Sequence, residues 1–135
     1  MSLTRHSSPV TLFSPYRICP IGAHIDHQGG AVLGRTIHLG TTLEYASTNT
    51  NEIHITSDQF GEAKFIIGEL DKNHWSRYAQ AAARALNIKR GIKMHVTGSF
   101  IGSGLSSSAS VGLAYLKALA DVNDIELSNE QLVHL

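Results

Sequence analysis

A glycine- and serine-rich segment between an alternating strand and an apolar helix constrains this chain more than any other feature. Residues 92–97 alternate apolar and polar side chains, which predicts a half-buried strand. Residues 98–109 read GSFIGSGLSSSA. Their glycines let the backbone approach a ligand closely. The helix that follows would offer unpaired N–H groups and a partial positive charge to an anion.

Pattern alone leaves two interpretations of this loop. It either holds phosphate, with serine hydroxyls donating to phosphate oxygens and one of them ligating Mg²⁺, or it is a flexible turn ending in a serine N-cap. No Gly-Lys-Ser/Thr sequence occurs, so a Walker-type loop is excluded. The apolar stripe on the helix that follows the loop favours the phosphate interpretation, because a flexible linker rarely leads directly into such a helix. The stripe comprises Leu105, Ala109, Gly112, Leu113, Leu116, Leu119 and Ala120.

The order of the other elements predicts an α+β fold. A first helix is predicted over residues 75–87, with Tyr78, Ala82, Ala85 and Leu86 on its inner face. Ser128 and Gln131 predict a capping box that opens a third helix. Pro15 places the first strand at a sheet edge or a bulge. Strands are predicted over residues 10–18, 31–37, 39–46, 52–57, 63–67 and 92–97.

A second group of polar residues lies in residues 16–30, which read YRICPIGAHIDHQGG. The glycines and the proline predict a loop from residue 19 onward. Asp26 can accept two sugar hydroxyls, and Arg17 can stabilise negative charge on a transferring phosphoryl group. A metal site at His24, Asp26 and His27 is an alternative, but such closely spaced loop residues seldom converge on one ion. The other alternative is that these are polar surface residues with no functional role.

Composition excludes several classes of partner. Lysine plus arginine equals aspartate plus glutamate, at 11 each, so the chain has no basic excess for nucleic acid. One cysteine excludes an internal disulfide and fits a reducing compartment. No apolar run approaches the roughly 20 residues that span a bilayer. A soluble, cytoplasmic protein is expected.

Together the two segments resemble the GHMP kinase superfamily, and within it the galactokinase branch. The galactokinase signature, Gly-Arg-x-Asn-x-Ile-Gly-Glu-His-x-Asp-Tyr-x-x-Gly, is similar to residues 16–30. The phosphate loop of the family, Pro-x-Gly-x-Gly-Leu-Ser-Ser-Ser-Ala, is similar to residues 100–109. Both occur in the family's order and separation, so the resemblance covers nearly the whole chain. It implies the N-terminal domain fold of these kinases, which resembles the second domain of ribosomal protein S5 and has a mixed sheet packed against helices.

The resemblance also implies roles for individual residues. Arg17 corresponds to the arginine near the transferred phosphoryl group and the anomeric hydroxyl. The substrate-binding positions, which face the sugar, are Ala23, His24, Asp26 and His27. Ser108 corresponds to the serine that helps to hold Mg²⁺. The ATP phosphates would lie against Gly102, Ser103, Gly104, Leu105, Ser106, Ser107 and Ser108. The family often has aromatic residues at the positions of Trp75 and Tyr78, and packing in the core is expected of Tyr78 more than of Trp75.

Two departures from the signature bear on the substrate. Ala23 replaces the family's glutamate, which contacts the far end of the hexose around its sixth carbon, and His27 replaces the tyrosine. Alanine removes a negative charge that would repel a carboxylate there. Residues 14–20, SPYRICP, also look more like galacturonokinases than ordinary galactokinases. A uronic acid such as galacturonate is therefore the expected substrate, with galactose as the alternative.

The resemblance implies an ATP- and Mg²⁺-dependent kinase that phosphorylates the anomeric oxygen of a sugar. The family's catalytic aspartate lies in a third region, so residues 1–135 are expected to be the incomplete N-terminal part of the domain and inactive alone. Two alternatives stay open. One is a non-catalytic sensor of sugar and nucleotide, and the other is a truncated remnant that folds without binding a ligand.

Overall fold

One mixed sheet organises the parts of the chain that the structure, a computed structural model, describes: residues 8–71, 74–99 and 105–135, apart from the side chain of Asp26. The strands are β1 (Val10–Ile21), β2 (Leu33–Ser47), β3 (Glu52–Ser57), β4 (Gly61–Ile66) and β5 (Ile92–Gly98). The sheet order is β1-β2-β5-β3-β4. The β3 and β5 strands are parallel, and the other neighbours are antiparallel. The helices are α1 (Arg77–Ala85), α2 (Ser107–Val122) and α3 (Asn129–His134). The predicted α+β class is confirmed.

The hydrophobic core lies between one face of this sheet and the helices α1 and α2. Alternation along β5 turns Ile92, Met94 and Val96 inward, as the sequence predicts, and each is at least 90% buried. From the helices, Ala79 and Leu119 pack against them, both with no exposed surface. Small alanines on α1 let that helix lie close to the sheet and to α2.

The first strand is an edge strand with irregular pairing, which confirms the expectation from Pro15. Its register against β2 shifts between Pro15 and Arg17 and again before Ile21. Several boundaries differ from prediction, and two of these differences have a clear cause. β1 continues to Ile21, past the predicted start of the loop at residue 19, because its pairing with β2 resumes past Pro20. β2 is one continuous strand because β1 and β5 flank it on both sides.

The buried faces of α1 and α2 differ from those predicted. On α1, Ala79, Gln80, Ala82 and Ala83 are buried, whereas Tyr78 is 37% exposed and Ala85 is exposed. An alanine-rich helix has apolar residues on more than one face, so periodicity leaves its rotation ambiguous. On α2 the same ambiguity put Ala109 and Leu113 inward, but both are exposed; the buried residues are Ser110, Ala114, Tyr115, Leu116, Ala118, Leu119, Ala120 and Val122.

A buried serine fixes the rotation of α2. The hydroxyl of Ser110 lies 2.7 Å from the carbonyl oxygen of Ser14, to which it donates, and 3.1 Å from the hydroxyl oxygen of Thr41. Ser110 is 3% exposed, so these bonds form away from water. They tie the first turns of α2 to β1 and β2 and thereby set where its N-terminus lies.

We expect Ser110→Ala to lower the free energy of unfolding by roughly 1–2 kcal/mol. The change leaves a buried carbonyl oxygen of Ser14 without its donor, and an unsatisfied buried acceptor costs about this much. Urea denaturation followed by circular dichroism measures it. Lys117→Ala, at an exposed position of the same helix, is the control and should change stability by less than about 0.5 kcal/mol. Equal stability of both variants would show that Ser110 does not anchor α2.

The short helix α3 begins with the capping box that the sequence predicts. The backbone N–H of Gln131 donates to the Ser128 hydroxyl at 3.1 Å, and the Ser128 N–H donates to the Gln131 side chain at 2.8 Å. Within residues 8–71, 74–99 and 105–135, no helix is long and apolar enough to cross a membrane.

Candidate phosphate and nucleotide site

The two polar segments, far apart in sequence, meet at Arg17. Its backbone N–H donates to the carbonyl oxygen of Leu105 at 3.0 Å. Its Nε and Nη2 both donate to the hydroxyl oxygen of Ser106, at 3.2 and 2.9 Å. A Cβ added at Gly34 would lie 3.2 Å from Cδ of Arg17, so glycine there leaves room for the arginine stem. The predicted partnership of these segments therefore has a structural basis at this residue.

The start of α2 has the features of an anion site. Ser106, the N-cap residue, adopts the left-handed conformation, with φ 55° and ψ 37°, and its side chain makes no capping hydrogen bond. The hydroxyl accepts from Arg17 instead, so it does not satisfy the N–H groups of the first turn. The first turn carries no acidic residue. These N–H groups, the helix dipole and the guanidinium of Arg17 together favour a bound anion.

A cleft of about 420 Å³, here called the aromatic cleft, adjoins this helix start. Ser107 and Ser108 line it. Phe60 and Trp75 also line it, and their rings stack with centroids 5.7 Å apart and an interplanar angle of 19°. The cleft therefore combines a flat aromatic surface with hydroxyl groups at a helix N-terminus.

A second arginine lies at the mouth of the aromatic cleft. The guanidinium of Arg77 sits 5.1 Å from the centre of the Tyr78 ring, and its Nη2 donates to the Tyr78 hydroxyl at 3.5 Å. Arg77 is the main cause that lowers the pKa of Tyr78, and the Ser108 hydroxyl lowers it further. Tyr115, which also lines the cleft, has its pKa raised by burial. The positive charge thus lies beside the serines of α2.

The sugar-facing residues predicted from the signature lie on the hairpin between β1 and β2. Ala23, His24 and His27 are exposed, and a 3-10 turn covers Asp26–Gln28. The N–H groups of Gln28 and Gly30 both donate to the carbonyl oxygen of Ile25, at 3.0 and 3.2 Å, and close the hairpin on itself.

One glycine sets the shape of this hairpin. Gly22 has a φ of +83°, and a Cβ there would collide with the carbonyl oxygen of Ala31. Another residue at this position would push the two ends of the hairpin apart. The glycine that the signature specifies therefore has a steric reason in this chain.

The structure unites some of the predicted site residues and separates others. Arg17, Leu105 and Ser106 are joined by hydrogen bonds, and Ser107 and Ser108 line the adjoining cleft. The hairpin residues lie past the end of β1. Gly102, Ser103 and Gly104, and the Asp26 side chain, lie outside the described residues. In the described ranges, no three or more His, Cys, Asp or Glu side chains form a metal-binding group.

The predicted order of burial of Trp75 and Tyr78 is wrong, and three residues that line the cleft were not predicted. Trp75 packs against the core and is partly buried, whereas Tyr78 is 37% exposed, contrary to the prediction. The reason is the start of α1 at Arg77, which leaves Trp75 in the preceding turn over Phe60. Phe60, His74 and Arg77 were not predicted. The one signal in the sequence for these residues was a phenylalanine, Phe60, between two predicted strands.

A second cleft of about 540 Å³ lies near the chain reversals after β2, α1 and α2. One of its lining residues is Asn123, whose Oδ1 accepts from the backbone N–H groups of Lys89 and Arg90 at 2.9 and 2.7 Å. These bonds hold loops together. The cleft contains none of the predicted site residues.

Comparison with known proteins is consistent with the fold and the motifs. Residues 73–135 match the GHMP kinases N terminal domain family. A galacturonokinase of Arabidopsis thaliana is 39% identical over 142 residues, covering 85% of this chain and 34% of the relative. A galactokinase of Ligilactobacillus salivarius is 31% identical, covering 93% and 35%. The chain thus spans about a third of the length of the curated relatives it matches.

Solved structures of sugar and mevalonate kinases superpose on nearly the whole of this chain. Lactococcus lactis galactokinase, crystallised with galactose, superposes with a TM-score of 0.85 at 28% identity, covering 96% of this chain and 36% of that one. Methanococcus jannaschii mevalonate kinase superposes with a TM-score of 0.79 at 22% identity, covering 95% and 44%, which supports the fold.

Proposed function

The chain belongs to the GHMP kinase superfamily, in its galactokinase branch, and on that premise we propose that it is the N-terminal portion of an ATP-dependent sugar 1-kinase. In this proposal residues 1–135 form part of one domain and supply the phosphate loop and the sugar-facing hairpin. The observation that carries it is the pair of hydrogen bonds from the Arg17 guanidinium to Ser106, at the start of α2.

The phosphates of ATP fit the start of α2. The proposed phosphate-binding groups are the hydroxyls of Ser106, Ser107 and Ser108, with the first N–H groups of the helix. The nucleoside extends from there into the aromatic cleft, where its base stacks on Trp75. In this proposal, which the family motif supports, the phosphate site also includes the loop residues Gly102, Ser103, Gly104 and Leu105.

Mg²⁺ fits the same place through its chemistry. It prefers oxygen ligands and usually takes several of them from substrate phosphates. Ser108 presents a hydroxyl oxygen to the cleft and is this chain's proposed ligand. When bound, the ion neutralises charge on the phosphates.

Arg17 is the proposed catalytic residue. In the reaction a bond forms between the anomeric oxygen and the γ-phosphorus, the bond from that phosphorus to the bridging oxygen of ADP breaks, and the hydroxyl proton is lost. Negative charge spreads over the transferred group in the transition state. The Arg17 guanidinium is held by Ser106 beside the helix start, so it is positioned before the reaction and needs little reorganisation.

The hairpin is the proposed sugar site, with His24, Asp26 and His27 as hydroxyl ligands. Ala23 lies at the position where the branch signature has glutamate, and a uronic acid such as galacturonate is the proposed substrate. The 39% identity to a galacturonokinase, against 31–33% for the galactokinases compared, supports this choice. Galactose is the alternative. We further propose that the chain has no nucleic-acid partner, since it has no basic excess, and that it is cytoplasmic without a membrane partner, which its single cysteine and its lack of a long apolar run support.

Phosphorus NMR of the complete protein with Mg·ATP and either sugar tests the function. The expected product with galacturonate is the sugar 1-phosphate, together with ADP. The 135-residue chain alone is expected to bind nucleotide without turnover. Efficient turnover of galactose with none of galacturonate would reject the uronic acid, and turnover of neither sugar would reject the kinase.

A further inference from the structure

A buried hydrogen-bond relay lies behind the aromatic cleft and consists of Gln80 and Ser76, which are 4% and 0% exposed. Oε1 of Gln80 accepts from the backbone N–H of Asp71 at 2.6 Å. Because a backbone N–H can only donate, this bond fixes the orientation of the Gln80 amide. Its Nε2 therefore donates to the Ser76 hydroxyl oxygen, at 2.9 Å.

The relay determines which nitrogen of His74 carries the proton. The Ser76 oxygen accepts from Gln80, which leaves its own proton available to Nδ1 of His74, 2.7 Å away. The backbone N–H of Ser76 points to the same Nδ1 at 3.3 Å. A nitrogen that accepts from an N–H carries no proton itself. The neutral imidazole therefore holds its proton on Nε2.

His74 also lines the aromatic cleft, beside Trp75, with ring centroids 5.7 Å apart. Within the described part of the chain, the hydrogen bonds of the His74 ring are both made at Nδ1. The edge with Nε2–H is turned away from Ser76. We propose that His74 is a base-recognition residue, which donates from Nε2–H to a ring nitrogen of a purine stacked on Trp75.

The chemistry of the donor sets the ligand that it selects. A fixed N–H is satisfied by an unprotonated ring nitrogen and opposed by a ring N–H or an amino group, so it reads the pattern of acceptors along the base edge. The stacked pair of Phe60 and Trp75 holds the base plane but does not distinguish one base from another. This inference rests on the proposed binding of a nucleotide in the cleft, and it adds the group that selects the base.

Two substitutions of His74 separate recognition from structural support. The amide nitrogen of glutamine reaches the place of Nε2, whereas the amide of asparagine reaches only the place of Nδ1, beside Ser76. We expect His74→Asn to weaken Mg·ATP binding by about fivefold to tenfold, the effect of one lost hydrogen bond, and His74→Gln to stay within about twofold. If His74 only supported Ser76, His74→Gln would weaken Mg·ATP binding more than His74→Asn. Isothermal titration of the 135-residue chain measures both, and His134→Gln on α3 is the matched control.

Base analogues test the contact itself. Among 1-deaza-, 3-deaza- and 7-deaza-ATP, one should bind the wild-type chain about fivefold to tenfold more weakly than ATP, and this difference should vanish in His74→Asn. Imidazole ¹⁵N shifts of the ligand-free chain should show a pyridine-type Nδ1. Equal binding of all analogues, or a protonated Nδ1, would overturn the proposal. If wild-type chain failed to bind Mg·ATP at all, the proposed function would fail as well.

Discussion

Replacing Arg17 with alanine in the complete protein is expected to lower kcat/KM for sugar phosphorylation by about 10³-fold, the size of effect seen when a positioned charge at a transferring phosphoryl group is removed. The guanidinium makes two bonds to Ser106, so its removal also frees the hydroxyl of that serine in the proposed phosphate loop. Most of the loss should appear in kcat, because the charge that Arg17 stabilises develops in the transition state. Initial rates at saturating and at low sugar concentrations separate the two constants.

Two further variants control this result. Arg17→Lys keeps the positive charge but lacks the fork that bonds twice to Ser106, so an intermediate loss is expected. Arg35→Ala removes an exposed arginine of β2 whose strand partner is Ile18, the neighbour of Arg17, and should change kcat/KM by less than about twofold. If Arg17→Ala retained near wild-type kcat, or if Arg35→Ala were equally damaging, Arg17 would not be the catalytic arginine.

Restoring a negative charge at position 23 is expected to lower kcat/KM for galacturonate on the order of hundredfold while changing that for galactose much less. Ala23 is an exposed residue of the hairpin, and two like charges a few ångströms apart near a protein surface repel by up to about 4 kcal/mol before screening by salt. The Ala23→Glu variant places a carboxylate against the proposed carboxylate of the sugar. Competing rates with both sugars in one reaction measure the ratio directly.

Ala23→Gln is the matched control, because it has the size of glutamate without its charge. It should lower galacturonate turnover only by its bulk, and raising the salt concentration should leave its effect unchanged while weakening that of Ala23→Glu. Equal losses in both variants would mean that shape rather than charge excludes the acid. A galacturonate rate unaffected by Ala23→Glu would place the sixth carbon of the sugar elsewhere.

Local chemistry explains what the sequence could predict. The alternating pattern of residues 92–97 predicted β5 and its buried face, and Pro15 predicted the irregular edge strand β1. Ser128 and Gln131 predicted the capping box of α3. Each of these signals acts between residues that are close in sequence. The pairing of Arg17 with the phosphate loop came from the family resemblance, and the structure adds the bonds that make it.

Long-range packing explains what the sequence could not predict. The rotation of α2 depends on Ser110, whose partners lie on β1 and β2, and nothing in the helix sequence marks that serine as buried. Likewise, Phe60 meets Trp75 only because β4 and α1 bring their preceding turns together. The role of His74 depends on the direction of hydrogen bonds through Gln80, which requires coordinates. Such contacts between distant segments carry no periodic signal.

The proposed phosphate site is tested most directly by titrating the 135-residue chain with Mg·ATP, followed by amide and indole NMR. Trp75 is the one tryptophan in the sequence, so its indole signal is unambiguous. We expect saturable shifts at that indole and at the amides of Ser106, Ser107 and Ser108, with little change around Asn123 in the second cleft. Absence of shifts at the start of α2 at millimolar nucleotide, or saturation only around Asn123, would contradict the phosphate site.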